Sequence, residues 1–135
     1  MKKGIIGAGG FGREVYWSLS PRERAEAKFF VDDEFWKEGD EDVLPLSKLD
    51  YDEYEVVVAI GDPKQRKKMV KSLSVKTKFF THIHPSVQIL DPTVEIGEGS
   101  VICAGTIITT NCKIGKHTHL NLQTTIGHDC EIGDY

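Results

Sequence analysis

The sequence predicts an α/β unit over residues 1–81, followed by a coil of short parallel strands over residues 82–135. Strand and helix patterns alternate in the first part, whereas aliphatic residues recur with a period of six in the second. The composition changes at the same place. Residues 1–80 carry 15 acidic and 15 basic side chains, while all five histidines and only two basic residues lie beyond them.

The overall composition excludes several classes of protein. With 17 Lys and Arg against 21 Asp and Glu, the formal charge is −4, which argues against a nucleic-acid-binding protein. No apolar run approaches the roughly 18 residues of a membrane span, and no secretory leader is recognisable. We therefore expect a cytoplasmic chain without a membrane span. The cysteines lack metal-site or redox spacing, and their odd number argues against a disulfide framework: Cys103, Cys112 and Cys130.

The first part has the element order β-α-β-β-α-β. Asp62 and Pro63 supply an N-cap and a first helical residue for the second helix, which begins directly after an apolar strand. Strands alternating with helices predict a parallel sheet with right-handed crossovers. The strand patterns lie at residues 2–7, 28–31, 56–60 and 77–81, and the helix patterns at 12–20 and 63–73.

A glycine-rich turn follows the first strand. Gly7, Gly9 and Gly12 match G-x-G-x-x-G, and Asp32 stands twenty residues beyond Gly12 at the end of the second strand. Such glycines let the backbone approach a diphosphate at a helix N-terminus, while a carboxylate after strand two can bind the nucleoside. The alternative is a tight turn that binds nothing. With four strands before residue 82, a second mononucleotide-binding half is absent, which argues against an NAD enzyme.

The second part is a hexapeptide repeat. A small or β-branched residue stands two positions before each aliphatic residue from Val94 onward, and Gly or Asn often stands one position after it. Each hexad is predicted to form one face of a triangular prism, with three hexads per coil and the aliphatic side chains inside. The repeating aliphatic residues are Leu90, Ile96, Ile102, Ile108, Ile114, Leu120, Ile126 and Ile132.

Together, GAGGFGREV, the Asp pair after strand two, AIGD followed by RKK, and LNLQTTIGHDCEIGDY resemble a known family. The sequence is similar to bacterial hexapeptide-repeat sugar acetyltransferases of the sialic-acid O-acetyltransferase type, nearest the nucleotide-4-amino-sugar N-acetyltransferases of the bacillosamine pathway. The resemblance implies a Rossmann-like domain followed by a left-handed parallel β-helix. It also implies acetyl-CoA as co-substrate, a nucleotide-linked amino sugar as acceptor, and a homotrimer.

The resemblance assigns roles to individual residues. The family's catalytic histidine matches His128 and its orienting acid matches Asp129, while a substrate-binding asparagine matches Asn121. Phe11 stands where family members often carry histidine, so a hydrogen bond to the sugar is lost or replaced by stacking. The positions that match the nucleotide-sugar site are Gly7, Gly9, Gly10, Phe11, Gly12, Asp32, Asp33 and Gly61.

General-base acyl transfer suits these residues. A neutral imidazole, titrating near 6.5, can take a proton from an attacking amine or hydroxyl, and an adjacent carboxylate can fix its tautomer. The alternative is that His128 is a solvated turn residue. Because the sequence reaches Tyr135 in mid-coil, the resemblance implies further coils that complete the acetyl-CoA cleft. We therefore expect residues 1–135 to have little or no activity alone.

Three other functions are compatible with the sequence: a noncatalytic nucleotide-sugar-binding fragment, a sugar O-acetyltransferase, and a β-helical zinc carbonic anhydrase. A zinc site needs three converging ligands, and His117 and His119 share a face if their segment is extended. The motif around His128 does not fit the carbonic anhydrase family, so we predict no metal site. Cys112 and Cys130 lie one coil apart and are expected to be stacked, buried thiols.

Overall fold

The computed structural model describes residues Met1–Tyr135 in full. The chain divides into two compact units, Met1–Phe79 and Phe80–Tyr135, which lie close to the domain limits expected from the sequence. In neither unit is a helix long and apolar enough to cross a membrane.

The first unit contains a four-stranded parallel sheet with the strand order β3-β2-β1-β4. From β1 the chain proceeds to one side through β2 and β3, and then returns to the other side of β1 with β4. This reversal marks the place where open α/β sheets bind ligands, beyond the carboxyl ends of the strands. The elements are β1 Lys2–Ile6, α1 Gly10–Ser18, α2 Pro21–Arg24, β2 Lys28–Val31, β3 Val43–Pro45, a 3-10 turn Leu46–Lys48, β4 Tyr54–Val58 and α3 Pro63–Ser72.

Apolar residues bury strands β1 and β4. Ile5, Val57 and Val58 are fully buried, and Phe30 packs edge to face on Tyr54 with 5.2 Å between the ring centroids. Near-continuous apolar runs are typical of parallel strands that are covered on both faces. The predicted parallel sheet is confirmed.

Three details of the first unit differ from the prediction. The predicted last strand at residues 77–81 is wrong: it contributes only one isolated bridge, between Phe79 and Val56. The short edge strand β3 lies in a largely polar stretch for which the sequence predicts no strand. Helix α2 is also not predicted, although Ser20 and Glu23 form a reciprocal capping box around Pro21.

The second unit consists of nine two-residue strands arranged in three parallel sheets. Strands recur about every six residues and rotate through the three sheets, so the chain returns to the same sheet after three strands. The sheet orders are β13-β10-β7, β11-β8-β5 and β12-β9-β6. The strands are β5 His82–Ile83, β6 Gln88–Ile89, β7 Glu95–Ile96, β8 Val101–Ile102, β9 Ile107–Ile108, β10 Lys113–Ile114, β11 His119–Leu120, β12 Thr125–Ile126 and β13 Glu131–Ile132.

The predicted interior columns are confirmed in the middle of this unit. Ile102 and Ile108 are fully buried, and the small residues Ser100 and Thr106 are equally inaccessible. The Ser100 hydroxyl donates to the Gly115 carbonyl at 2.8 Å, which satisfies its polar atom inside the coil. Cys112 is buried and Cys130 half-buried in the same apolar cluster, and both are free thiols.

The predicted first member of the aliphatic column, Leu90, is wrong. Ile89 takes that place by pairing with Ile108, whereas Leu90 is 64% exposed. Later pairs are 18 residues apart, as in Ile96 with Ile114, but Ile89 and Ile108 are separated by 19. One extra residue therefore lies between β6 and β7 and shifts the register of the first hexads.

From Gly99 onward, one corner residue in each hexad adopts a left-handed backbone conformation. Asn111 has φ of +50° and Asp129 of +57°, values that non-glycine residues seldom adopt. Asn and Asp tolerate this region better than most residues because their short polar side chains bond locally. The full series is Gly99, Gly105, Asn111, His117, Gln123, Asp129 and Tyr135.

Candidate active site and nucleotide cleft

Two glycines of the loop after β1 are required by the fold itself. Gly7 has φ of +114°, and a Cβ atom there would lie 2.8 Å from the Ala59 carbonyl oxygen. A Cβ atom on Gly12 would overlap the Gly7 carbonyl, so helix α1 packs against the loop only if this position is glycine. These glycines fix the route of the chain from strand to helix.

Other glycines of the predicted site meet no such constraint. A Cβ atom on Gly9 or Gly61 would have no neighbour within 4 Å, and one on Gly10 would reach only the Arg13 guanidinium at 4.0 Å. Gly9 is the N-cap of α1 and has no side chain to cap it. Its small size is therefore not explained by packing within this unit. Phe11 is half-buried in the first turn of α1.

A cleft of about 600 Å³ lies at the carboxyl ends of β1, β2 and β4. Of the residues predicted to bind the nucleotide sugar, Gly7 and Asp32 line it, whereas Gly9, Gly10 and Gly61 do not. Phe11, Gly12 and Asp33 are also absent from the lining. Its walls are formed by Ile6, Gly7, Phe30, Val31, Asp32, Glu34, Phe35, Ile60, Gln65, Lys68, Met69 and Ser72.

The two aspartates after β2 face different surroundings. Asp32 lines the cleft, whereas the Asp33 carboxylate accepts a hydrogen bond of 2.9 Å from the Ser47 backbone N–H. Hydrogen bonds from the Ser47 side chain and backbone hold the pKa of Asp33 below its usual value. Asp33 therefore anchors the end of β2 to the 3-10 turn, and Asp32 is the member of the pair that is available to a ligand.

Two side chains, Asp62 and Arg66, stabilise the turn between β4 and α3 through hydrogen bonds to backbone groups. Asp62 caps the helix by accepting from the Gln65 backbone N–H at 2.8 Å, as the sequence predicted. Arg66 is buried and donates to the carbonyls of Ile60 and Gly61 at 2.7 and 3.1 Å. Its burial lowers the pKa of the guanidinium, and nearby Asp62 partly offsets that effect. Gly61 is thus fixed beside the cleft residue Ile60.

In the second unit, His128 and Asp129 form a side-chain pair at the corner after β12. His128 Nδ1 lies 2.7 Å from Asp129 Oδ2, and the two side chains are 78% and 63% exposed. Because an ionised carboxylate only accepts hydrogen bonds, Nδ1 carries the proton in this contact. Nε2 of the neutral ring is then left as a proton acceptor, which is the arrangement that a general base needs.

The second oxygen of Asp129 is held by Asn111, one coil earlier. The Asn111 side-chain amide donates to Asp129 Oδ1 at 2.6 Å. Hydrogen bonds from Asn111, and then from His128, hold the pKa of Asp129 below its usual value. Asp129 is therefore ionised at neutral pH, with both carboxylate oxygens occupied.

The other residues of this unit that the sequence singles out precede the His128–Asp129 pair in the chain. Asn121 is exposed at the corner after β11, and its side-chain oxygen accepts from the Leu122 backbone N–H at 2.9 Å. His117 and His119 do not share an extended face, because His117 adopts φ of +55° and stacks on Tyr135. No three His, Cys, Asp or Glu side chains of the chain converge as a metal site.

The sequence did not single out several residues of these sites. Gln65, Lys68 and Ser72 reach the cleft from one face of α3, and their spacing of three and four residues was the available signal. Phe35, which is 72% exposed, adds an aromatic ring to the rim. Asn111 could have been found because it stands 18 residues before Asp129 in a repeat of that length.

Comparison with known proteins places these features in a family. Residues 4–73, just over half of the chain, match the PglD N-terminal domain. GDP-perosamine N-acetyltransferase of Escherichia coli O157:H7 is 34% identical over 98% of this chain and 64% of its own length. The chain therefore spans slightly less than two thirds of that relative.

Solved structures agree with this result. WeeI from Acinetobacter baumannii AYE is 34% identical over 99% of this chain and 67% of its own, with a TM-score of 0.81. PerB from Caulobacter crescentus, solved with CoA and GDP-perosamine, is 28% identical over 97% of this chain and 65% of its own, with a TM-score of 0.79. The chain belongs to the family that carries the PglD N-terminal domain.

Proposed function

We propose that the protein is an acetyl-CoA-dependent N-acetyltransferase whose acceptor is the amino group of a nucleotide-linked sugar. The single observation that carries this proposal is the His128–Asp129 pair, in which a carboxylate held at both oxygens directs one ring nitrogen and leaves the other as a base. The likeness to GDP-perosamine N-acetyltransferases supports the reaction class and makes GDP-perosamine the first acceptor to test.

The first unit binds the nucleotide part of the acceptor in this proposal. The exposed α1 N-terminus at Gly9 and Gly10 offers backbone N–H groups to a diphosphate. Asp32 in the cleft accepts hydrogen bonds from the nucleoside, and Phe35 and Ile60 provide apolar surface for the base. Lys68 of α3 adds a positive charge to the lining of the cleft.

The second unit performs the acyl transfer. His128 Nε2 takes a proton from the attacking amine while a C–N bond forms at the thioester carbonyl of acetyl-CoA. The C–S bond then breaks, and the proton leaves with the thiol of CoA. Asp129 keeps the imidazole in the required tautomer and stabilises the imidazolium that forms. Asn121 contacts the substrate, as the family resemblance implies.

The assembly in the proposal is a cytoplasmic homotrimer in which the repeating unit forms a left-handed parallel β-helix. Three parallel sheets with a repeat near 18 residues support the helix. In the proposal, the acceptor, the coenzyme and a neighbouring subunit complete the site around His128 and Asp129, as the family resemblance implies.

The experiment is a thiol-release assay of the protein at its natural length, with acetyl-CoA and a panel of nucleotide-linked sugars. The proposal expects CoA release with an amino sugar and much less with the hydroxyl analogue. CoA release only with the hydroxyl analogue would instead show an O-acetyltransferase. Binding of nucleotide sugars without CoA release would show a noncatalytic binding protein.

A further inference from the structure

We propose that Asn111 is a positioning residue for the base, acting through Asp129 from the preceding coil. This inference rests on the proposed function, because it assigns a role relative to His128. Its basis is a continuous series of short hydrogen bonds that joins the two coils. The Asn111 amide donates to one oxygen of Asp129, whose other oxygen contacts His128 Nδ1.

Each oxygen of the Asp129 carboxylate has its own hydrogen-bond partner. Asn111 Nδ2 lies 2.6 Å from Oδ1 of Asp129, and His128 Nδ1 lies 2.7 Å from Oδ2. An exposed carboxylate without the first contact could rotate about its terminal bond, because such sp³–sp² torsions are broad. The amide therefore removes the freedom that would let Asp129 turn away from the ring.

Asn111 is itself fixed from a third coil segment. Asp91 Oδ2 accepts from the Thr110 hydroxyl at 2.6 Å and from the Asn111 backbone N–H at 3.3 Å. The Asp129 backbone N–H donates to the Thr110 carbonyl at 3.1 Å, which aligns the two corners directly. The base is thus held through a ladder of corner residues rather than by its own turn alone.

The residue type at position 111 satisfies two demands at once. The corner requires a positive φ, and Asn is among the few side-chain-bearing residues that tolerate it. The contact requires a neutral donor, since a carboxylate there would repel Asp129. Glycine would meet only the first demand, and aspartate would fail the second.

The test replaces Asn111 with glycine, which keeps the backbone conformation and removes only the side chain. The matched control is Gln123→Gly, at an exposed corner residue with φ of +55°. The nitrogen chemical shifts of the His128 ring, measured by NMR, report the fraction of neutral ring protonated at Nδ1. We expect that fraction to fall in N111G and to stay unchanged in Q123G, with kcat about 10-fold lower in N111G and KM nearly constant.

A second variant, Asn111→Asp, keeps the test decisive if the glycine variant folds poorly, and it should shift the tautomer in the same direction. An unchanged tautomer in the folded variants would overturn the positioning role, even if kcat fell. A shifted tautomer with unchanged kcat would support the positioning and would contradict His128 as the base. The failure of this inference and the failure of the proposed function are therefore distinguishable.

Discussion

His128 and Asp129 are neighbours in the chain, yet their side chains meet at 2.7 Å between Nδ1 and Oδ2. In an extended strand, adjacent side chains point to opposite faces. The φ of +57° at Asp129 breaks that alternation at the corner and allows the contact. The same left-handed corners that let the coil turn also shape the candidate base.

This contact predicts the effect of replacing the carboxylate. Asp129→Asn tolerates the corner conformation but removes the charge that stabilises an imidazolium, so we expect kcat to fall by roughly 10-fold. The decrease should be smaller than that for loss of His128. Steady-state kinetics at pH 7 measures it, with Glu131→Gln in the same coil as the control. Equal kinetics for D129N and the wild type would remove Asp129 from the proposed mechanism.

The glycine loop predicts opposite outcomes at two positions. Gly12→Ala should destabilise the protein by about 3 kcal/mol or more, because the new Cβ atom would overlap the Gly7 carbonyl. Gly9→Ala should leave stability within about 1 kcal/mol, since Gly9 has an extended backbone and open space around it. It should nevertheless weaken nucleotide-sugar binding. Urea unfolding and calorimetry separate the two effects, and full nucleotide-sugar affinity in a folded G9A protein would exclude this turn as a ligand contact.

Replacing the two aspartates after β2 should affect two different properties of the protein, its ligand affinity and its stability. Asp32→Asn is expected to lower nucleotide-sugar affinity without changing thermal stability, because Asp32 lines the cleft. Asp33→Asn should lower the melting temperature instead, since its carboxylate accepts from the Ser47 backbone N–H. Calorimetry and thermal unfolding of both variants provide the comparison. A loss of affinity confined to D33N would reverse the assignment.

The hydrogen bonds of the Asp91 carboxylate predict that the free energy of unfolding depends on pH in the acid range. Hydrogen bonds from Thr110 and Thr93 lower the pKa of this carboxyl well below its usual value. A depressed folded-state pKa gives stabilisation that is complete above the unfolded pKa, near 3.9, and is lost as the pH falls below it. Asp91→Asn should therefore be less stable than the wild type at pH 7, and the difference should narrow below about pH 4. Urea unfolding at several pH values measures this difference, and a difference independent of pH would contradict the assigned hydrogen bonds.

Much of the fold was predictable because repetition and apolar runs are strong signals. The run at Val56–Val58 predicted a buried parallel strand, and Asp62 with Pro63 predicted where α3 begins. The edge strand β3 was not predictable in this way, because three half-buried residues after an acidic loop carry no periodicity. The prediction of Leu90 as an interior residue is wrong because one extra residue follows β6. Leu90 fits the period of six by chance, while Ile89 pairs with Ile108.

The site was predictable only where a local motif carries it. Gly7 and Asp32 follow from the fingerprint, and they do line the cleft. The contact of Asn111 with Asp129 depends on stacking between coils, which no local window of sequence contains. A column of aliphatic residues is visible in the sequence as a repeat of one residue type. The left-handed corner residues differ in type and share only a backbone conformation, so no such repeat reveals them.

The most direct test of the central claim is kcat of His128→Ala in the protein at its natural length, with acetyl-CoA and a nucleotide-linked amino sugar at pH 7. His84→Ala is the control, since the His84 ring contacts Ser86 instead of a carboxylate. The account predicts a loss of roughly 100-fold in kcat for H128A with nucleotide-sugar affinity nearly unchanged, because a base acts in the transition state. Near-normal turnover of H128A would contradict it.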